Sequence, residues 1–146
     1  MSKVLSDVQK QAIRAHTADT ITIGTNTYHA SKLWSNQKIT SYPSIVLNIA
    51  NSGQDTDIKD VVAGPLYYSC ILTIHILAKD EIGMDSGAVI CEHFADVIID
   101  EIETWTVPFE EDVRIFNASS DISAVGFLGH QAGYFDYVIS IIIYYS

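Results

Sequence analysis

The sequence predicts an α+β fold in a single domain spanning residues 1–146. The expected architecture is an antiparallel or mixed β-sheet, with a main helix at about residues 85–105 and a short N-terminal helix packed on one side. Three observations carry this reading. Isoleucine occurs 21 times among the 146 residues, and β-branched side chains favour extended backbone. Several segments alternate with the period of two that a strand imposes on its faces. The clearest helical segment, between Asp85 and Trp105, repeats its apolar residues at spacings of three and four. Strands grouped around one long helix, without strict alternation of strand and helix, fit the α+β class better than a parallel α/β sheet.

In chain order, residues 6–18 come first, where Val8, Ala12, Ile13 and Ala15 behind Ser6 or Asp7 as a cap read as a short amphipathic helix. Thr20-Ile21-Thr22-Ile23 alternates as a strand, Gly24-Thr25-Asn26 supplies turn chemistry, and Thr27-Tyr28-His29 returns as the hairpin partner. Residues 31–42 show no clear period and read as a loop. Pro43 then opens Ser44-Ile45-Val46-Leu47-Asn48-Ile49, a strand with proline at its permitted first position.

Residues 51–65, rich in Asn, Ser, Gly and Asp, read as a long excursion between strands. In the strand expected at 66–79, Cys70, Leu72, Ile74, Ile76 and Ala78 form one face, assigned to the core, and Ser69, Ile71, Thr73, His75 and Leu77 form the other. The main helix is expected to start at Asp85 as its N-cap and to end near Trp105, because Pro108 prevents continuation. Its stripe is Cys91, Ala95, Ile98, Ile102 and Trp105, widened by Phe94, while Glu92, Asp96, Asp100 and Glu103 gather opposite. Residues 111–117 alternate as a strand, and 118–133 read as turn-rich. Tyr134–Tyr145 reads as a closing strand apolar on both faces, either central in the sheet or packed on another subunit.

The charge is unevenly divided. Residues 1–79 carry seven basic and five acidic side chains, a balance of +2, whereas residues 80–146 carry thirteen acids against Arg114 alone, a balance of −12. A subunit divided in this way can present its basic part to the acidic part of a neighbour, or collect acid around a shared axis; solvation alone is the plainer explanation. Tight nucleic-acid binding is not expected, since neutralising phosphates needs clustered Lys and Arg. The first residues turn polar too soon for a secretory signal, and no apolar run reaches the length of a membrane span, so a cytoplasm-like compartment and no membrane partner are expected. In that compartment Cys70 and Cys91, both inside apolar stretches, are expected to be buried free thiols.

No catalytic constellation emerges, and neither an enzyme nor a cofactor is expected. None of the eight glycines belongs to a GxGxxG or GxxxxGK[ST] phosphate loop, and no GxSxG elbow occurs. The nearest approach to a metal site is Cys91-Glu92-His93 with Asp96. Cys91 and His93, two residues apart, would point about 200° from each other on a helix and cannot grip one ion. His16, His29, His75 and His130 are scattered, and the acidic groups 110–112 and 100–101 lack calcium-loop spacing and read as solvated. The aromatic residues are more informative. Tyr67, Tyr68, Tyr134, Phe135, Tyr137, Tyr144 and Tyr145 cluster on the expected strands and divide between core packing and interface candidates.

The run Tyr42-Pro43-Ser44-Ile45-Val46-Leu47 is followed by the strand at 67–78, which leads into Lys79-Asp80-Glu81, and then by the helix at 88–105. Val113-Arg114-Ile115, Ser119-Ser120-Asp121-Ile122 and the closing strand complete the order. This order resembles the tail-terminator and tail-completion family of long-tailed viruses, small proteins that cap the tail tube and join it to the head. The resemblance covers about two thirds of the chain and is a pattern of elements. It implies a hexameric ring of this chain in the virion at the head–tail junction, assembled in the host cytoplasm, with tail-tube and head–neck proteins as partners. It implies no catalytic residue. An acidic inner wall would let the genome DNA pass without specific binding. A head–tail connector or neck protein, or a small non-viral ligand- or metal-binding module, are the alternatives.

Overall fold

The computed structural model describes residues 7–54, 68–102, 115–116, 122–131 and 134–145. Helix α1 (Asp7–His16) leads into a two-stranded hairpin, β1 (Thr20–Ile23) and β2 (Asn26–His29). Strands β3 (Ser31–Trp34), β4 (Ser44–Gln54) and β5 (Tyr68–Lys79) follow, then helix α2 (Gly87–Ile102). Strands β6 (Ile115–Phe116), β7 (Ile122–Gln131) and β8 (Tyr134–Tyr145) complete the order. The fold is α+β, and its main sheet is mixed: β3 pairs β4 in parallel, while β4–β5, β5–β8, β6–β8 and β7–β8 are antiparallel.

The closing strand is central, as one of its two expected settings required. β8 pairs β5 along its whole length, from Tyr134 opposite Lys79 to Tyr145 opposite Tyr68. Its other edge is taken by β7 from Tyr134 to Ile141 and by β6 at Tyr144 and Tyr145. The alternation in β5 sorts as anticipated, because Cys70, Leu72, Ile74, Ile76 and Ala78 are all buried while Ile71, Thr73, His75 and Leu77 are half-buried. Ile45, Leu47, Ile139, Ile141 and Ile143 share the core face, and Ile90, Cys91, Phe94, Ala95, Ile98 and Ile102 of α2 cover it, joined by Ala12 and Ile13 of α1 and by Ile21 and Tyr28 of the hairpin.

The expected loop at 31–42 is corrected over its first four residues, which form the parallel edge strand β3. Four residues of uniform half-burial show no period. The strand exists because β4 and α1 supply its partners. Arg14 Nη2 and Nε donate to the Lys32 carbonyl at 2.9 and 3.3 Å. Lys32 Nζ returns to the carbonyls of Arg14, Thr17 and Ala15 at 2.8, 3.0 and 3.4 Å. A lysine ammonium thus caps the carbonyl end of α1, where the helix dipole favours a cation. Lys32→Met keeps the apolar stem and removes the cap, so we expect a loss of about 1–2 kcal/mol from charge-assisted bonds, read as a lowered urea midpoint with unchanged slope.

Two further expectations need correction. The turn-rich reading of 118–133 fails over 122–131, which is β7; two register shifts against β8, at Ile122/Ala124 and Phe127/Gly129, break the alternation that would have marked it. The excursion expected from residue 51 starts later, because β4 continues to Gln54 across a shift between Ala50 and Gly53. Of the strand expected at 111–117, residues 115–116 form β6; its other residues, the remainder of that excursion, the acidic run 110–112, and Tyr67, Glu103 and Trp105 lie outside the described residues.

The start of α2 is also corrected, since Asp85 is not its cap. Ser86 Oγ accepts from the Val89 amide at 3.3 Å, and Asp80 Oδ1 accepts from the Gly87 amide at 2.7 Å. Gly87 itself is required by space. A Cβ there would lie 2.6 Å from the Phe135 ring and 3.1 Å from the Lys79 backbone, so α2 meets the sheet at a point where only a hydrogen fits.

Candidate functional site

At the end of the sheet where β5 meets α2, residues 80–86 make a tight turn. The Met84 amide donates to the Glu81 carbonyl at 3.1 Å, and Gly83 takes the left-handed backbone that glycine tolerates, with φ of 80°. Ile82, at the tip, is fully exposed, and Met84 is nearly half exposed. The base of the turn is held on both sides. Asp80 is bound to the start of α2, and Asp85 is bound to the hairpin: Tyr28 Oη donates to Asp85 Oδ2 at 2.6 Å and accepts from the Asp85 amide at 3.0 Å, while Asn26 Nδ2 donates to the same carboxylate at 3.3 Å. Ile82 is the most exposed of the large apolar side chains that the described residues leave at the surface, the others being Met84, Val89, Val97 and Tyr134.

The Tyr28 hydrogen bond, reinforced by Asn26, holds the Asp85 carboxyl below its usual range and raises the Tyr28 phenol. A depressed carboxyl pKa contributes stability that is present above the unfolded value, 3.8, and is lost as pH falls through the lower folded value. The stability difference between the native chain and Asp85→Asn is therefore expected to be largest at neutral pH and to shrink in acid. Urea titrations of both proteins across that range would measure it.

Beside the turn lies an aromatic platform. Tyr42 meets Tyr134 edge to face, with ring centroids 5.5 Å apart and planes at 64°. Lys79 Nζ sits 5.5 Å from the Tyr42 centroid and 3.4 Å from Glu81 Oε1. Tyr134 leaves nearly half its surface exposed. It is thus available for contact, whereas Phe135 and Tyr137 pack against the core. Strand β8 also places Tyr144 and Tyr145 opposite β6.

A second feature is a cavity of about 290 Å³ between α1 and the β3–β4 edge. Its surface is mainly polar, from Asp7, Lys10, Gln11, Ser35, Asn36 and Asn48, and the half-buried Trp34 and Ile49 supply the apolar part. The sheet face away from α2 forms a third surface, where Val46, Thr73, Leu77 and Ser140 are half-buried. There His75 Nδ1 lies 3.0 and 3.2 Å from the two Asp136 carboxylate oxygens.

The structure does not bring the sequence's metal candidates together. Cys91 is buried, with Sγ donating to the Ile76 carbonyl at 3.4 Å, while Glu92, His93 and Asp96 are exposed on the far side of α2. Cys70 and Cys91 are free thiols, and burial pushes both up to about 12, which keeps them protonated and poorly nucleophilic near neutral pH. His29 Nδ1 is 3.2 Å from Thr20 Oγ1. Among the described residues, no three His, Cys, Asp or Glu side chains gather as a metal ion would need. The turn at 80–86 escaped notice in the sequence, although the signal was there: Ile82 and Met84 alternate with Gly83 inside an acidic stretch, where nothing local could bury them. The cavity had no such signal, because its walls come from three separated segments.

Comparison of the chain with known protein families and with curated proteins finds no match. No described helix is long and apolar enough to cross a membrane.

Proposed function

We propose that this chain is a structural subunit that closes into a ring, of the tail-terminator kind, capping a tail tube and joining it to the head of a tailed virus. The observation that carries an assembly role is the braced turn, which holds Ile82 fully exposed and Met84 half-exposed just beyond Lys79, the residue that pairs with the half-exposed Tyr134. Exposed apolar and amphipathic side chains in fixed positions are the anchors that interfaces use. The charge division supports the same reading, since Glu92, Asp96 and Asp100 line the solvent side of α2. Such a surface suits the wall of a channel that DNA crosses without sticking. The role in the virion rests on the resemblance in the order of elements. In this reading the chain has no catalytic task and takes no cofactor; its partners are its own copies, the tail-tube protein and the head–neck proteins. A connector or neck protein would use the same surfaces.

Mass in solution and electron microscopy test the proposal. Closed rings of one discrete mass with a central hole, hexameric by expectation, are the supporting result. Their stability should depend on salt if the basic and acidic halves meet, because exposed charges are screened over about 8–10 Å at moderate ionic strength. A chain that is monomeric at all concentrations and binds no virion protein would end this reading. The cavity favours one alternative, a small-ligand module, since about 290 Å³ with mixed apolar and polar walls is near the lower size of ligand pockets. Saturable binding of a small molecule by a permanently monomeric chain would select it.

A further inference from the structure

We infer that the cleft between α1 and the β3–β4 edge binds a neutral saccharide. The inference goes beyond the ring reading and does not rest on it, because every wall of the cleft belongs to a single chain.

The site is built before any ligand arrives. On α1, Asp7, Lys10 and Gln11 stand three and four residues apart and so share one side of the helix. On the sheet, Trp34 is in register with the buried Leu47 and lies on the same face. Trp34 packs against the core yet stays half-buried, so it is held in place while part of it lines the cleft. The turn that follows β3 is fixed as well. The Trp34 amide donates to Gln37 Oε1 at 2.8 Å, the Gln37 amide donates to the Trp34 carbonyl at 2.9 Å, and Ser35 Oγ donates to Asn48 Oδ1 at 3.0 Å. Little order has to be gained at this rim on binding.

The chemistry of the walls selects the ligand class. The side chains of Asp7, Lys10, Gln11 and Asn36 make no hydrogen bond or ion pair with another described residue, so their donors and acceptors are open to a ligand. A carboxylate only accepts, an ammonium only donates and an amide does both; sugar hydroxyls, each donor and acceptor at once, satisfy all three. The one acid and the one base cancel, so the cleft offers no net charge to a phosphate or a cation. Its mainly polar surface would be left unsatisfied by an aliphatic ligand. A zwitterion such as an amino acid would use Asp7 and Lys10 but leave the amides of Gln11 and Asn36 idle. A pyranose engages all four groups, and its C–H face can lie against Trp34, where contact removes both surfaces from water. About 150 Å³ of space holds a six-membered carbon ring, so about 290 Å³ takes one pyranose with its hydroxyls.

The test follows the indole N–H of Trp34 in proton–nitrogen correlation spectra of the full-length chain, the signal being assigned by its loss in Trp34→Phe. The probes are D-glucose, D-galactose, N-acetyl-D-glucosamine and L-rhamnose, with L-leucine and inorganic phosphate beside them. A saturable shift with at least one sugar, and none with leucine or phosphate, is expected. Gln11→Ala and Asn36→Ala, both at exposed positions, should each weaken that binding by about threefold or more without moving the unfolding midpoint. The inference is overturned if no sugar gives a saturable shift, if leucine or phosphate binds instead, or if both alanine variants bind the sugar as tightly as the native chain. Ring formation is measured separately: a chain that never assembles ends the ring reading and leaves this site standing, and a chain that assembles but takes no sugar does the reverse.

Discussion

Ile98→Asp is expected to leave no folded protein. Ile98 is 0% exposed and lies among Phe94, Cys91 and Ile102 of α2, against the core face of the sheet. A carboxylate at this position would be desolvated, with no partner among the apolar groups around it. The cavity left by the lost methylenes adds a few kcal/mol. Together these reach about 5 kcal/mol or more, which is comparable to the whole stability of a domain of this size. The variant should appear in the insoluble fraction or lack a cooperative thermal transition. Ile98→Val, which removes one methylene, should cost about 1 kcal/mol and remain soluble, so the pair separates burial of charge from loss of volume. A normal melting curve for Ile98→Asp would show that α2 packs through a different face.

Deletion of residues 141–146 is expected to be nearly as damaging. Five of the twelve β5–β8 pairs would vanish, from Leu72 opposite Ile141 to Tyr68 opposite Tyr145, together with both β6 pairs. Ile141 and Ile143 are fully buried, and their removal would also expose Cys70 and Leu72, which lie opposite them at zero exposure. Burial of each large aliphatic side chain is worth about 1.5–3 kcal/mol, and an uncovered strand edge invites pairing between chains. Aggregation is the expected result, accompanied by rapid reaction of Cys70 with a thiol reagent that leaves the intact protein untouched until denaturant is added. Slow thiol reaction in a soluble truncated chain would mean that the sheet closes without the end of β8.

The long, regular elements were legible because their information is local. The burial of Cys70, Leu72, Ile74, Ile76 and Ala78 follows from a period of two, and the inward stripe of α2 follows from spacings of three and four. Gly24-Thr25 announced its hairpin, since Gly24 takes the left-handed backbone with φ of 60°. The elements that were missed depend on distant partners. β3 is ordered by β4 and by the exchange between Arg14 and Lys32, eighteen residues apart. β7 is a strand only because β8 lies beside it, and its register shifts hide its alternation. Asp85 looked like a helix cap because its type and position allowed it, but Tyr28, fifty-seven residues away, claims the carboxylate.

The same division holds for the candidate site. By itself, the sequence determined the α+β class, the core face of the central strands, the burial of both cysteines and the separation of charge between the two halves, because composition and short periods encode each of these. Only the tertiary structure decided that Ile82 stands free on a braced turn, that Tyr42, Lys79 and Tyr134 share one end of the sheet, and that Lys10, Trp34 and Asn48 line one open cleft. Those arrangements bring together side chains tens of residues apart. Their positions depend on strand order and register, which are chosen by the combined burial of all the elements and leave no periodic trace in any one of them.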